Sequence, residues 1–245
     1  MASVEQLRIY HHPNVQRAIK NKEIYVRARD GMFCRPEPEI NTNSPWLFES
    51  VDIKPCIWCH KVLFSLFALC PSPALDCWKV VVRPRNVLEL VALHGIQKKM
   101  GVPSKCGIEP RENVAANYGG YFYNRSFKDG LEREAEVSEI VHKEINKDVP
   151  VFLKRGCTGI EEMFGRSDKW KMAEGQEALE ARLNKCFDES FKEPKTAGHP
   201  EDLEREIFEE WLHFAHSRGD MSYLRITKGR YLYPQPIKYT EDTKF

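Results

Sequence analysis

Short alternating or uniformly apolar runs separated by breakers occupy the first half of the chain, and longer amphipathic stretches the second. "WLFESVDI" (Trp46–Ile53) alternates and is rich in β-formers, which predicts a strand. Pro55 suits a helix start, where its missing N–H costs nothing, and "IWCHKVLFSLFALC" then runs without a breaker to Pro71. That predicts a buried helix of about three turns. "DCWKVVVRP" (Asp76–Pro84) reads as a second strand, too apolar along Val80–Val82 to be an exposed edge. Asn86 with Glu89 three residues on forms a capping-box pattern that opens a helix. Residues 101–128 read as irregular. A helix over 129–146 follows, with Val137, Ile140, Val141 and Ile145 on one face. "DVPVFLKRG" (Asp148–Gly156) predicts a strand entered through a Val-Pro step. Two further helices carry stripes of Leu179, Leu183, Cys186 and Phe187, and of Leu203, Ile207, Trp211 and Phe214. Residues 1–45 show weak periodicity, with one short helix over "NVQRAIKNKEIYVRAR", and read as an N-terminal arm. The order is that of an α/β protein, not a helical bundle.

A length of 245 residues suits one large domain or a domain with a substantial extension. The net charge of +1 hides a division, with −9 between Asp129 and Glu210 and +10 over the rest. The basic residues are spread among core-like segments, so solvated faces or a protein-docking surface are expected and no nucleic acid. The longest apolar run, "VLFSLFALC", is about half the ~20 residues of a membrane span, so no transmembrane segment is expected. The first residues lack an apolar signal core. Together with the cysteines this favours an organelle such as the mitochondrion over secretion.

Eight cysteines stand at 34, 56, 59, 70, 77, 106, 157 and 186, too dispersed for a small disulfide scaffold. The stretch "PCIWCHK" carries the candidate chemistry. As a zinc site it is half a ligand set, with Cys70, Cys77 or His60 at unusual spacings to complete it. As C-x-x-C-H it matches a c-type haem attachment, with Cys56 and Cys59 as thioethers, His60 axial, and Met100 or Met163 opposite. As a redox pair it needs the first thiol after a strand at a helix start, where free N–H groups favour thiolate, and the second one turn on to resolve a mixed disulfide. Strand 46–53, Pro55, Cys56 and Cys59 stand in that order. No metal is expected.

"SVDIKPCIWCHKVLFSLFALC" followed by "WKVVVRPR" resembles the thioredoxin-fold superfamily, notably its DsbA-type oxidoreductases and kappa-class glutathione transferases. The resemblance implies a thioredoxin-like domain over about 46–192 with a helical insertion near 85–147; the N-terminal arm and the C-terminal helix and extended tail over 193–245 lie outside it. It also implies a cis-proline facing the thiols, for which "DVPVFL" offers Pro150. A competing alignment resembles glutaredoxin, with Pro103 as the cis-proline and Gly119–Gly120 meeting a glutathione carboxylate. "SKCGIEP" reads as a poor central strand and "VFLKRG" as a good one, which favours Pro150. The pair Ile57–Trp58 is bulkier than those common in active members.

The function expected is a thiol–disulfide oxidoreductase or glutathione-dependent enzyme. Cys56 would attack, Cys59 resolve, His60 tune the pair and Pro150 present its backbone. The rival is a redox-inactive accessory subunit of a large complex, such as a respiratory-chain assembly. Other candidates weigh less. Cys157 lies beside Lys154 and Arg155, which would lower its pKa, but a packed loop cysteine is the preferred reading. Cys186 falls on an apolar helix face, and Cys70 and Cys77 bracket a proline turn within reach of a disulfide. His11–His12 and Glu161–Glu162 read as solvated, and His213 with His216 lacks a partnering carboxylate.

Overall fold

The computed structural model describes residues 3–36, 45–50, 54–112, 114–191, 201–234 and 236–237. Among them the main sheet has five strands: β3 (Trp46–Glu49), β4 (Trp78–Val82), β5 (Ser104–Ile108), β6 (Tyr118–Asn124) and β7 (Val151–Arg155). Their order is β3-β5-β6-β4-β7, and every neighbouring pair is antiparallel. A small hairpin, β1 (Tyr25–Val26) with β2 (Phe33–Cys34), stands apart. The architecture is mixed α/β.

Several expectations are corrected by this topology. A strand–helix–strand unit around C-x-x-C would make its two strands parallel neighbours. Instead β3 and β4 run antiparallel with β5 and β6 between them. The segment read as a helical insertion supplies those two inner strands, and "SKCGI" is central although it read as a poor strand. "VFLKR" is the sheet's edge, not its centre. No peptide bond among the described residues is cis, so neither Pro103 nor Pro150 takes that form. Residues 51–53 of the first predicted strand lie outside the described residues.

Antiparallel register puts residues directly opposite one another on the same face. Leu47, Cys106, Gly120 and Val82 form one such row. With Val80, Phe122, Tyr118 and Ile108 they make an apolar face that is almost completely buried. It packs against α5 (Val87–Met100), α6 (Phe127–Glu144) and α9 (Glu201–Ser217), whose Leu90, Leu93, Val137, Val141, Ile207 and Trp211 complete one core. Helix α5 begins as its sequence predicts, with the Asn86 side chain accepting the Glu89 N–H at 2.9 Å. The Glu89 carboxylate accepts the Arg85 N–H rather than that of Asn86, so half the expected box forms. Gly120 explains how closely α5 lies on the sheet, since a Cβ there would fall 2.3 Å from Leu93 Cδ2.

A second core lies on the other side of the C-x-x-C segment. There α3 (Lys54–Ile57) continues as a π-helical turn over Trp58–Phe64, burying Trp58, Val62 and Leu63. The N-terminal residues pack onto these through Ile9, Val15, Ala18 and Phe33, and Phe33 stacks on Phe187 at 5.1 Å between ring centroids. Asn14 donates to the Leu66 carbonyl at 2.8 Å.

The C-terminal segment is fastened to the main core in two places. Trp211 is fully buried and donates its indole N–H to the Pro45 carbonyl at 2.8 Å, beside the start of β3. Asp220 accepts from the Tyr118 hydroxyl and from the Val87 N–H, both at 2.7 Å. Trp211→Ala should therefore cost about 3–5 kcal/mol of folding stability, seen as a lower urea midpoint with unchanged slope. A loss below about 1 kcal/mol, the size typical of surface changes, would show that α9 is not part of the core.

Candidate functional site

The sheet's second face is unlike the first. Phe48, Lys105, Tyr121 and Val81 lie in one row across it, and Tyr123, Lys79 and Lys154 in the next. All of these side chains except Val81 floor a cavity of about 800 Å³, a size suited to a small molecule. Arg83 and Arg111 reach it from the strand ends, and Cys56, His60, Cys77 and Cys157 close it from above. A side chamber brings Cys56, Cys59, Cys77 and Cys157 against Ala74 and Ile160.

Two local features aim the thiols. In the π-helical turn the Ser65 N–H reaches the His60 carbonyl five residues back, at 3.1 Å. This wide winding lets Cys56 and His60 both face the cavity, while Cys59 is buried and borders the side chamber. After β7, Gly156 turns the chain at φ +61°, with the Trp170 ring where a Cβ would sit, 2.3 Å away. The Gly156 N–H donates to the Cys77 carbonyl at 2.7 Å, setting Cys157 beside Cys77.

Cys157 is the acidic thiol of this group. Burial alone would raise it, but the Lys79 ammonium at 3.0 Å and a hydrogen bond with His60 outweigh burial and bring it down to about 5. Lys79 answers in kind: burial pulls it down, and the facing Cys157 and Cys77 hold it above its ordinary value. The other thiols go the opposite way. Burial, then repulsion from Cys77 and Cys157, pushes Cys56 up to about 12. Burial likewise raises Cys59 and Cys77. Cys157 is thus a thiolate near neutral pH and its neighbours are thiols.

Cations gather around one ring. Lys105 Nζ lies 5.6 Å and Lys79 Nζ 5.7 Å from the Tyr121 centroid, and Arg83 Cζ lies 6.0 Å from it. Lys105 also sits over Trp46 at 4.3 Å and Phe48 at 5.6 Å. Burial, then the charges of Lys79 and Arg111, bring Lys105 down to about 8. The Tyr121 hydroxyl donates to the buried Glu109 carboxylate at 2.7 Å, which also accepts from Arg111.

The structure thus brings Cys56, His60 and Cys157 together and leaves other expected groups elsewhere. Pro150 is exposed at the entry to β7 and its carbonyl accepts the Arg83 N–H at 3.0 Å; it does not line the cavity. The Pro103 carbonyl accepts from Tyr123 within the sheet. Gly119 and Gly120 lie inside the β6 ladder, so their N–H groups are not laid out to meet a carboxylate. Lys154 and Arg155, the expected partners of Cys157, are engaged otherwise: Lys154 pairs with Glu161, and Arg155 donates to the Leu75 and Ser167 carbonyls. Met100 packs against the core under the opposite face, and Met163 is exposed. His213 and His216 meet Tyr233 and Tyr223. All the cysteines are free. Among the described residues no three His, Cys, Asp or Glu side chains are grouped as metal ligands, and no helix is long and apolar enough to cross a membrane.

Lys79, Arg83, Lys105 and Tyr121 were missed in the sequence. Their signal is the alternation of "WKVVV", "SKCGI" and "YGGYFYN", which puts basic and phenolic side chains on one face and apolar ones on the other. Compared with protein-family models, curated proteins and solved structures, the chain matches none of them.

Alkylation of Cys157 by iodoacetamide should rise through a midpoint near pH 5, the value about which its thiolate forms. Cys56, held up near 12, should stay unlabelled in that range. Lys79→Gln should move the Cys157 midpoint upward, because burial is then opposed chiefly by His60. The acidic Cys157 thiol also couples folding stability to pH. Because the folded thiol is more acidic than the unfolded one, its contribution is complete above about pH 8.5. It is lost as the pH falls through about 5. Mass mapping of labelled peptides checks both midpoints, and an unchanged midpoint in Lys79→Gln would rule out the lysine as the cause.

Proposed function

We propose that this chain is a thiol–disulfide oxidoreductase in which Cys157 attacks and Cys56 resolves. The observation that carries the reading is the Cys157 sulfur held 3.0 Å from the Lys79 ammonium in a cavity that Cys56 also lines. An acidic thiol attacks a disulfide readily, and a second thiol beside it releases the product. The Cys157 thiolate attacks one sulfur of a small disulfide, forming a mixed disulfide and expelling the other half as a thiolate. His60, on the cavity side of the π-helical turn with Cys56, takes the Cys56 proton. The Cys56 thiolate then attacks the Cys157 sulfur, forming a Cys56–Cys157 disulfide and releasing the second half. The substrate gains two electrons and the cysteine pair loses them.

This chemistry is of the kind the thioredoxin resemblance implied, but the roles differ, because burial keeps both members of C-x-x-C protonated. The reading therefore rests on the thiols and their charges, not on a shared strand order. A glutathione disulfide is among the small disulfides such a cavity suits. The rival reading, an accessory subunit without redox turnover, draws on the burial of Cys59 and on the N-terminal residues packed over Trp58 and Val62.

Incubation with hydroxyethyl disulfide separates the two. Wild type should yield a Cys56–Cys157 disulfide by peptide mapping. Cys56→Ser should accumulate the mixed disulfide on Cys157, and Cys157→Ser should lower the rate by roughly 100-fold or more, the scale of removing a nucleophile. Unreacted Cys157 in folded, reduced protein would favour the accessory subunit.

A further inference from the structure

The cavity's charges do not balance. Arg111 is paired with Glu109, Lys154 with Glu161, and Lys79 with the Cys157 thiolate. Two lining cations remain. The Lys105 ammonium meets the faces of Trp46, Phe48 and Tyr121, and the Arg83 guanidinium meets the Tyr121 ring and, at 3.5 Å, its hydroxyl. No carboxylate is among the described contacts of either side chain. The two acidic side chains that also line the cavity, Glu112 and Glu162, are exposed to water, which screens their charge.

Positive charge gathered in a partly desolvated pocket without protein counter-charge favours an anion from solution. Arg83 offers a planar fork suited to an oxyanion, and Lys105 offers a compact ammonium held in place by three rings. Two uncompensated charges match a phosphate monoester, which carries between one and two negative charges at neutral pH. A single carboxylate would leave one cation unanswered. Gly119 belongs to the same design: a Cβ there would crowd Arg83 Nη1 at 3.4 Å and the Tyr121 hydroxyl at 3.3 Å.

We infer that Arg83 and Lys105 form a phosphate subsite, so that the substrate is a small disulfide carrying a phosphate group. This rests on the oxidoreductase reading for the disulfide, but the subsite itself stands on the cavity's charges. The group sits on the sheet floor against Tyr121, and the disulfide reaches Cys157 in the same cavity.

Pantethine and its 4′-phosphorylated form differ only in phosphate and make a matched pair of test disulfides. In single turnover, with the prereduced Cys56–Cys157 pair supplying the two electrons, the phosphorylated form should be reduced with a second-order rate constant roughly 10- to 100-fold higher, the scale of one or two charge-assisted hydrogen bonds. The preference should fall with added salt. It should shrink toward one in Arg83→Gln and in Lys105→Gln, and survive in part in Arg83→Lys. Equal single-turnover rate constants for the two disulfides would overturn the subsite and leave the oxidoreductase reading standing. If neither disulfide is reduced, that reading fails and alkylation decides the subsite. Iodoacetate, the anionic reagent, should then gain on neutral iodoacetamide at Cys157 in a manner lost in Arg83→Gln, and inorganic phosphate should slow both. A reagent ratio indifferent to Arg83 and to phosphate would refute it.

Discussion

An ammonium on the central floor of a sheet is costly to bury unless an opposite charge meets it, and the rest of the site follows from how that cost is met. Lys79 is 7 % exposed, with neighbouring strands on both sides and core behind it. Its partner is not a carboxylate but the sulfur of Cys157. That choice makes one thiol acidic among several that are not. It also requires the chain to turn sharply after β7, which Gly156 permits and the Trp170 ring braces. The π-helical turn then brings His60 to the same sulfur.

The same economy of charge separates structural ion pairs from chemical ones. Glu109 and Arg111 neutralise each other and orient the Tyr121 hydroxyl, and Lys154 and Glu161 fasten β7 to α7 (Thr158–Phe164). Such pairs are built to persist. Lys105 and Arg83 lean instead on aromatic faces, which hold a cation in place without neutralising it.

Periodicity made much of the secondary structure legible. The Val80–Val82 run, the Asn86 cap, the stripe of Val137 and Val141 and the Trp211 helix all stand where the pattern put them. The strand order was not legible, because pairing is decided by tertiary packing that a single strand does not encode. "SKCGI" reads weakly because it is short and carries a lysine and a glycine. It is central because Lys105 has aromatic neighbours and Gly107 faces a backbone, with a Cβ there falling 2.0 Å from the Pro45 carbonyl oxygen. The site was half legible. Cys56 and His60 of the C-x-x-C-H stretch do line one wall of the cavity, and motif spacing names Cys56 as the attacking thiol, whereas the fold makes Cys157 the acidic one. Only the fold supplies Lys79, some 78 residues from Cys157 in sequence, as the group that makes the loop thiol acidic.

The two-faced sheet has a consequence for how this molecule could change. Along β4, Lys79 serves the cavity while Val80 and Val82 serve the core, and β5 alternates in the same way with Lys105 and Cys106. Substitutions at alternate positions therefore meet different tests, the charge and shape of the cavity on one side and close packing on the other. Selection could exchange Arg83, Lys105 or Tyr123 and so alter the charge and shape of the cavity while the apolar positions stayed fixed. The fold is a board whose reverse holds it rigid, so the cavity's lining can drift on the front without loosening the frame.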